Sequence, residues 1–174
     1  IEIAQKNNLV LQVGHVERFN PAVIAAAPHI HNPRFIEVNR LGPYDPRTAH
    51  IGVVLDLMIH DLDMLFYLVK DKVVSFEAHG AKILSETEDI AKVRLKFANG
   101  CVADVSASRV SMDKYRKIRI FQPDAYISID YAGKNVKMFT KTEGKEQITS
   151  FFDIDIKKLK IPTNEPLFYE LDNF

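Results

Sequence analysis

"IAKVRLKFANGCVADVSASRV", Ile90 to Val110, alternates apolar and polar side chains on both sides of a central Asn99-Gly100. Ala91, Val93, Leu95 and Phe97 point one way and Lys92, Arg94 and Lys96 the other, the two-residue period of a strand with one buried face. Asn-Gly between two such runs is the strongest short-range hairpin signal, because both residues tolerate the positive φ of a tight turn. On the return run Cys101, Ala103, Val105 and Ala107 share a side, opposite Val102, Asp104, Ser106 and Ser108.

Outward from this hairpin the pattern repeats. "RKIRIFQ", "AYISIDY", "NVKMFTK" and "QITSFFDI" (Gln147–Ile154) each alternate, separated by turn residues such as Pro123-Asp124 and Gly133. With the run that starts at Val73, this predicts about six to seven strands in an open, mostly antiparallel sheet with one apolar face. The upstream chain supplies the cover. Asn20 and Pro21 in "ERFNPAVIAAA" stand as N-cap and first helical residue, and "IGVVLDLMIHDLDMLFYLV", Ile51 to Val69, reads as a long helix opened by Gly52. Between them "PRFIEVNRLG" reads as a strand leaving into the loop Gly42–His50. "LVLQVGH", Leu9 to His15, reads as a short buried strand after a helix tail stopped by Asn7-Asn8. The fold class is α+β, with the sheet covered on one face by helices.

At 174 residues the chain suits one domain, 1–174. Lys and Arg balance Asp and Glu at 23 each, which leaves no electrostatic footprint for nucleic acid or for an acidic membrane surface. The lone Cys101 rules out an intrachain disulfide or a multi-cysteine zinc site and fits a reducing, cytoplasmic setting. The sequence begins without Met, in what reads as the last turns of a helix. It stops in "NEPLFYELDNF", which reads as the first turns of another, so a fragment of a longer protein is expected.

The helix 51–69 carries Asp56, His60, Asp61 and Asp63 in the only long apolar run, where an unpaired charge costs several kcal/mol. Such a density of titratable groups also argues against a membrane span. Asp56 and His60 are four apart and share a face, extended by Asp63 and Tyr67. Leu55, Met58, Leu62, Leu65 and Val69 form a second stripe suited to packing on the sheet. A carboxylate one turn from an imidazole raises its basicity and fixes its tautomer, which suits a general acid/base. The structural alternative stands beside this: Asp56 complements the helix dipole, His60 is a satisfied core histidine, and Asp61 or Asp63 faces solvent. "GHVERFNP" adds His15, Glu17, Arg18 and Asn20 after the presumptive strand, and "NRLGPYDPR" adds Arg40, Tyr44 and Arg47. Arginines there can hold phosphates or a carboxylate by paired hydrogen bonds.

These residues resemble a known family. "GVVLDLMIH" followed by "DLD", a GxxxDxxxH pattern over Gly52–His60, is similar to the catalytic helix of the Gfo/Idh/MocA family of NAD(P)-dependent sugar oxidoreductases, and "VGHVERFNPA" resembles the segment leading into that family's C-terminal domain. The pair looks closest to members acting on nucleotide sugars, the UDP-N-acetylglucosamine 3-dehydrogenases. The resemblance implies hydride transfer between a sugar ring carbon and nicotinamide. His60 would be the acid/base on the hydroxyl, and Asp56 would bind the sugar or orient His60. It places Glu17 and Arg18 near the nicotinamide or the sugar, with Arg18 the candidate cofactor contact and Glu17 a candidate substrate contact. Asn20, Arg40, Tyr44 and Arg47 are the other candidate substrate-binding residues, and no metal is expected. The family's "EKP" lysine and its Rossmann domain would lie upstream of Ile1, residues 1–20 being the junction. None of the seven glycines falls in GxGxxG, so NAD or NADP would be bound mainly by that missing domain. The open sheet would make a homo-oligomer contact.

Two rivals remain at this stage. "HD" at His60-Asp61 invites a metal-dependent phosphohydrolase, but that class is all-α and needs further ligands. The other is a non-catalytic sheet domain used for binding or dimerisation.

Overall fold

The protein is described by a computed structural model covering residues 1–144, 147 and 149–174. Eight strands form one sheet: β1 Phe35–Leu41, β2 Val73–Ala81, β3 Ile90–Phe97, β4 Val102–Ser108, β5 Tyr115–Gln122, β6 Ala125–Asp130, β7 Asn135–Lys141 and β8 Ile154–Lys158. Their order is β2-β3-β4-β1-β5-β6-β7-β8. Only β1 and β4 pair in parallel; every other neighbour is antiparallel. β1 therefore inserts between the β3–β4 hairpin and the β5–β8 meander, and its C-terminal end emerges at the middle of the sheet. The hairpin closes on Asn99-Gly100, with Gly100 at φ +85° and Phe97 N–H donating to the Cys101 carbonyl at 2.9 Å.

The helices are α1 Glu2–Lys6, α2 Pro21–Ala26, α3 Ile59–Val69 and α4 Pro166–Asn173. α2 lies over β6 and β7, α3 and the turn before it lie over β4, and α4 packs on a 3₁₀ turn at Val16–Phe19. Val23, Val53, Met64 and Leu65 meet Ile36, Val38, Ile118, Ile120, Ile127 and Ile129, all fully buried. The strand alternation of β3 and β4 reads through as anticipated, with Ala91, Val93, Leu95, Cys101, Ala103, Val105 and Ala107 inward. On the opposite, uncovered face, Phe35, Phe121, Tyr126 and Phe139 form a row with ring centroids 4.9–6.0 Å apart. Arg94–Asp104 and Glu37–Arg119 ion pairs continue that face.

Asn20 caps α2 as its position before Pro21 implies. Its Oδ1 accepts from Ala22 N–H at 3.0 Å, while its amide donates to Glu17 Oε2 at 3.2 Å. Asn20→Ala is expected to cost about 1 kcal/mol, a fall of about 2–4 °C in Tm. An unchanged melt would show that the cap is not coupled to folding.

The open, mostly antiparallel sheet is as expected: the seven strands from Val73 onward are joined by β1, read separately as a strand, to make eight. Two expectations are corrected. Leu9–His15 is not a buried strand: Leu9, Val10, Leu11 and Val13 are 62–75% exposed, and no described strand runs beside them to take up their backbone hydrogen bonds. Within "QITSFFDI", Ile148 lies outside the described residues, Phe151–Asp153 form a 3₁₀ turn capped by Ser150, and pairing starts at Ile154.

The long helix also departs from a uniform α-helix. Val54–Met58 is a π-turn, with Ile59 N–H bonded to the Val54 carbonyl, and α3 continues from it. A π-turn holds one extra residue, so the packing stripe upstream of Met58 slips by one position. Val54 packs on the core, and Leu55, expected there, is 68% exposed. Such turns cluster at functional sites because they re-aim side chains without ending the helix.

Candidate functional site

Gly52 sits where the chain turns into the helix. The Glu88 carboxylate occupies the space a Cβ would take, 2.0 Å from its ideal position, and accepts from Val54 N–H at 3.3 Å. Val53 N–H donates to the Glu88 carbonyl at 2.9 Å, pinning the start of the π-turn to the loop just before β3. The glycine of "GVVLD" is thus a close-approach position. It allows Asp56, three residues into the turn, to be held at the lip of a cleft.

That cleft, about 390 Å³, opens beyond the C-terminal end of β1. Asp56 lines it from the helix, Tyr44 from the loop, Arg40 and Arg116 from the sheet, and Arg109 and Lys114 from the β4–β5 connection. His60 lies one turn further along α3, half-buried, with no side-chain hydrogen bond among the described residues. Of the pair singled out in sequence, Asp56 lies in the π-turn and lines the cleft, while His60 lies in α3 outside its lining.

The other two carboxylates of the helix do not join them. Asp61 is 1% exposed and takes a two-point bond from Arg40, Nε to Oδ2 and a terminal nitrogen to Oδ1, both at 2.8 Å. Glu17 Oε1 approaches the same guanidinium from the other side at 3.2 and 3.3 Å. Burial opposes the Arg40 charge, but the Asp61 bonds and the Asp61 and Glu17 charges outweigh it and raise the guanidinium pKa. Against this cluster sits Tyr131, whose buried hydroxyl has no hydrogen-bond partner. Burial first, then Glu17 and Asp61, pushes its pKa well up. Asp63 takes a second two-point bond from Arg18, at 2.8 and 2.5 Å, with His15 Nδ1 3.7 Å away. The Asp63 bond raises the Arg18 pKa, and the guanidinium also stands 5.9 Å from the Tyr67 ring centroid.

The expected site residues thus separate. Asp56 and Tyr44 line the cleft. Arg40 touches it, but its donors are committed to Asp61 and Glu17. Glu17 and Asn20 belong to that buried cluster and to the α2 cap. Arg18 is engaged by Asp63. Arg47, 88% exposed at its side chain, pairs with Asp45 and holds that carboxyl down at about 2. The expectation that Asp61 or Asp63 faces solvent is corrected: both are buried ion-pair partners. Among the described residues no three His, Cys, Asp or Glu side chains come together as metal ligands. Cys101 is buried, which pushes its thiol up to about 11.

Sequence reasoning missed Arg109 and Asp89. Arg109 is 2% exposed and uses all five donors: Asp89 Oδ1 at 2.7 Å, Ser85 Oγ at 2.8 Å, Thr87 Oγ1 at 2.7 Å and the carbonyls of Thr48 and Ile51 at 2.9 and 2.6 Å. It ties the cleft loop and the start of the helix to the sheet. Its signal was a single arginine closing the small, apolar return strand "CVADVSASR", where a charge invites a buried partner.

The chain thus presents an open, mostly antiparallel sheet with a helix that carries Asp56 onto a cleft beyond the end of β1. Comparisons with known proteins show its family. The GFO/IDH/MocA C-terminal domain matches residues 29–128, and the chain belongs to that family. It is 36% identical over 145 residues, 83% of its length, to UDP-N-acetylglucosamine 3-dehydrogenase of Acidithiobacillus ferrooxidans, of which the match covers 46%. It is 25% identical over 160 residues to myo-inositol 2-dehydrogenase of Thermotoga maritima, covering 83% and 48%. The solved structure of the Acidithiobacillus ferrooxidans enzyme superposes with a TM-score of 0.87 at 31% identity, over 98% of this chain and 54% of that one. Levoglucosan dehydrogenase in complex with NADH and levoglucosan shares the fold, with a TM-score of 0.72 at 19% identity over 87% and 47%. The chain spans about half the length of the curated relatives it matches.

Proposed function

We propose that this chain is the substrate-binding and acid/base half of an NAD(P)-dependent dehydrogenase acting on a sugar or nucleotide sugar. The observation that carries the reading is the placement of Asp56 on the cleft with His60 one turn behind it, while the remaining helix carboxylates are consumed by arginines. In this reading NAD(P), when bound, would supply the acceptor for the carbinol hydride; His60 takes the hydroxyl proton, and Asp56 hydrogen-bonds the ring or fixes the His60 tautomer.

The described residues do not build a dinucleotide cradle. No Gly-rich phosphate loop is present in the sequence, and Arg18, the expected cofactor contact, is held by Asp63. In this reading the nicotinamide is held mainly by polypeptide outside this chain. The relatives' names support the substrate class: one is a UDP-N-acetylglucosamine dehydrogenase and another a myo-inositol dehydrogenase. The uncovered sheet face, with its aromatic row and charged strip, is the surface we assign to a contact between copies of the chain. No described helix is long and apolar enough to cross a membrane, and the single buried thiol accords with the cytoplasm.

The test is turnover of the complete enzyme carrying His60→Ala. A loss of at least about a hundredfold in kcat is expected, with the melting temperature close to the parent's because His60 has no bonded partner. Turnover within threefold of the parent would leave the non-catalytic sheet domain as the better reading.

A further inference from the structure

Charge bookkeeping around the cleft leaves two cations over. Arg40 is neutralised by Asp61 and Glu17, Arg109 by Asp89, and Asp45 by Arg47. Lys114 and Arg116 also line the cleft, and neither side chain has a hydrogen bond or ion pair among the described residues. Arg116 stands directly opposite Arg40 in the β1–β5 register, yet shares neither of its carboxylates. Strand alternation puts Arg116 on the same side as the buried Ile118 and Ile120, the helix-covered side. It is exposed because it lies where that cover ends and the cleft begins.

Two free cations face one free carboxylate, Asp56, across a space of about 390 Å³, within the range of about 300–1,000 Å³ that takes a whole small-molecule ligand. A neutral sugar would use Asp56 and leave both cations idle. One carboxylate would be satisfied by Arg116 alone, by a two-point bond. Two cations match a group with two negative charges and several acceptor oxygens, and a guanidinium beside an ammonium suits phosphate.

We propose that Lys114 and Arg116 bind the diphosphate of a nucleoside diphosphate sugar whose ring lies against Asp56. They thereby set specificity for nucleotide sugars over neutral polyols. This rests on the reading of Asp56 and His60 as the sugar-facing pair. Neither cation lies in the helix motif that first marks the site, and neither is required for the proton transfer.

The experiment is calorimetric titration of the complete enzyme with uridine 5′-diphosphate, glucuronate and NADH, in the parent, Lys114→Ala and Arg116→Ala. Expected are binding of the diphosphate that weakens with added salt, and at least a tenfold loss of affinity in each variant at unchanged melting temperature. No diphosphate binding by the parent, or equal affinity in parent and Arg116→Ala, overturns the proposal. Glucuronate bound as tightly as the diphosphate, with the same dependence on Arg116, reassigns the pair to a sugar carboxylate and also overturns it. So does NADH bound more tightly than the diphosphate through the same two residues, which would make this a cofactor phosphate site. Diphosphate binding requires no hydride transfer. Its loss with His60-dependent turnover intact would therefore fell this proposal alone, and its survival with His60-independent turnover would fell the acid/base reading alone.

Discussion

Asp61→Ala is expected to destabilise the protein by about 3–5 kcal/mol, because it removes one member of a buried ion pair and strands the other. In a chain of this size that is a fall in Tm of about 6–20 °C. The residue is 1% exposed, and Arg40, 3% exposed, would be left with Glu17 alone, at the longer distances of 3.2 and 3.3 Å. The neighbouring Tyr131 hydroxyl, already without a partner, offers no acceptor hydrogen-bonded to Arg40 in its place. Asp63→Ala provides the contrast: its partner Arg18 is 42% exposed at the side chain and turns to water when released, so the loss is smaller. Thermal and urea melts of both variants check this. Combining Asp61→Ala with Arg40→Met should cost less than the sum of the two singles, since the charge left behind is what is expensive. An Asp61→Ala protein melting within 2 °C of the parent would mean that the pair carries no net stability.

The same residues show what a one-dimensional reading can and cannot recover. The β3–β4 hairpin is legible because every signal that makes it is local: the two-residue period, Asn99-Gly100, and small residues at Ala103 and Ala107 beneath the helix. The placement of Asp56 and His60 on one helical segment is legible for the same reason, the two being four residues apart, although the π-turn around Asp56 was not. Asp61 and Asp63 are not, because the partners that decide their role, Arg40 and Arg18, lie 21 and 45 residues away. Spacing alone put Asp63 on the active column. Leu55 fails for a third reason: the stripe was counted at α-helical spacing, and the π-turn inserts one residue just upstream of Met58. Leu9–Val13 has the composition of a strand but finds no partner among the described residues, and composition cannot supply one. Lys114 and Arg116 belong to no motif; only the neutralisation of the other cations singles them out.

Arg109→Ala is expected to lower the melting temperature by about ten degrees or more, in line with other buried ion pairs broken on one side. One planar group at the end of β4 serves five acceptors drawn from two segments, the cleft loop and the Ser85–Asp89 turn, so its loss frees both from the sheet. Lysine is a poor substitute, having three donors on one point charge where five are fixed in a plane. The partner carboxylate adds a pH signature. Burial pushes Asp89 up, but hydrogen bonds from Ser85, the Ile83 and Leu84 amides and Arg109 outweigh it and hold the group well below the usual carboxylate range. A carboxyl with a depressed folded-state pKa contributes its full stability above its unfolded value, about 3.9, and loses it as pH falls through the depressed folded value. The parent should therefore keep the contribution of Asp89 across neutral and mildly acidic pH and lose it progressively below about pH 4. Asp89→Asn should start from a lower melting temperature at pH 7 and show a flatter acid limb. Amide exchange in residues 42–51 should accelerate in Arg109→Ala, because the Thr48 and Ile51 carbonyls that anchor the loop are released. Melting within 2 °C of the parent, or an acid limb unchanged by Asp89→Asn, would show that the cleft loop is held by something other than this node. If the loop is released as expected, Tyr44 leaves the cleft wall with it. Arg109 then governs substrate affinity without touching substrate, and KM should rise more than kcat falls.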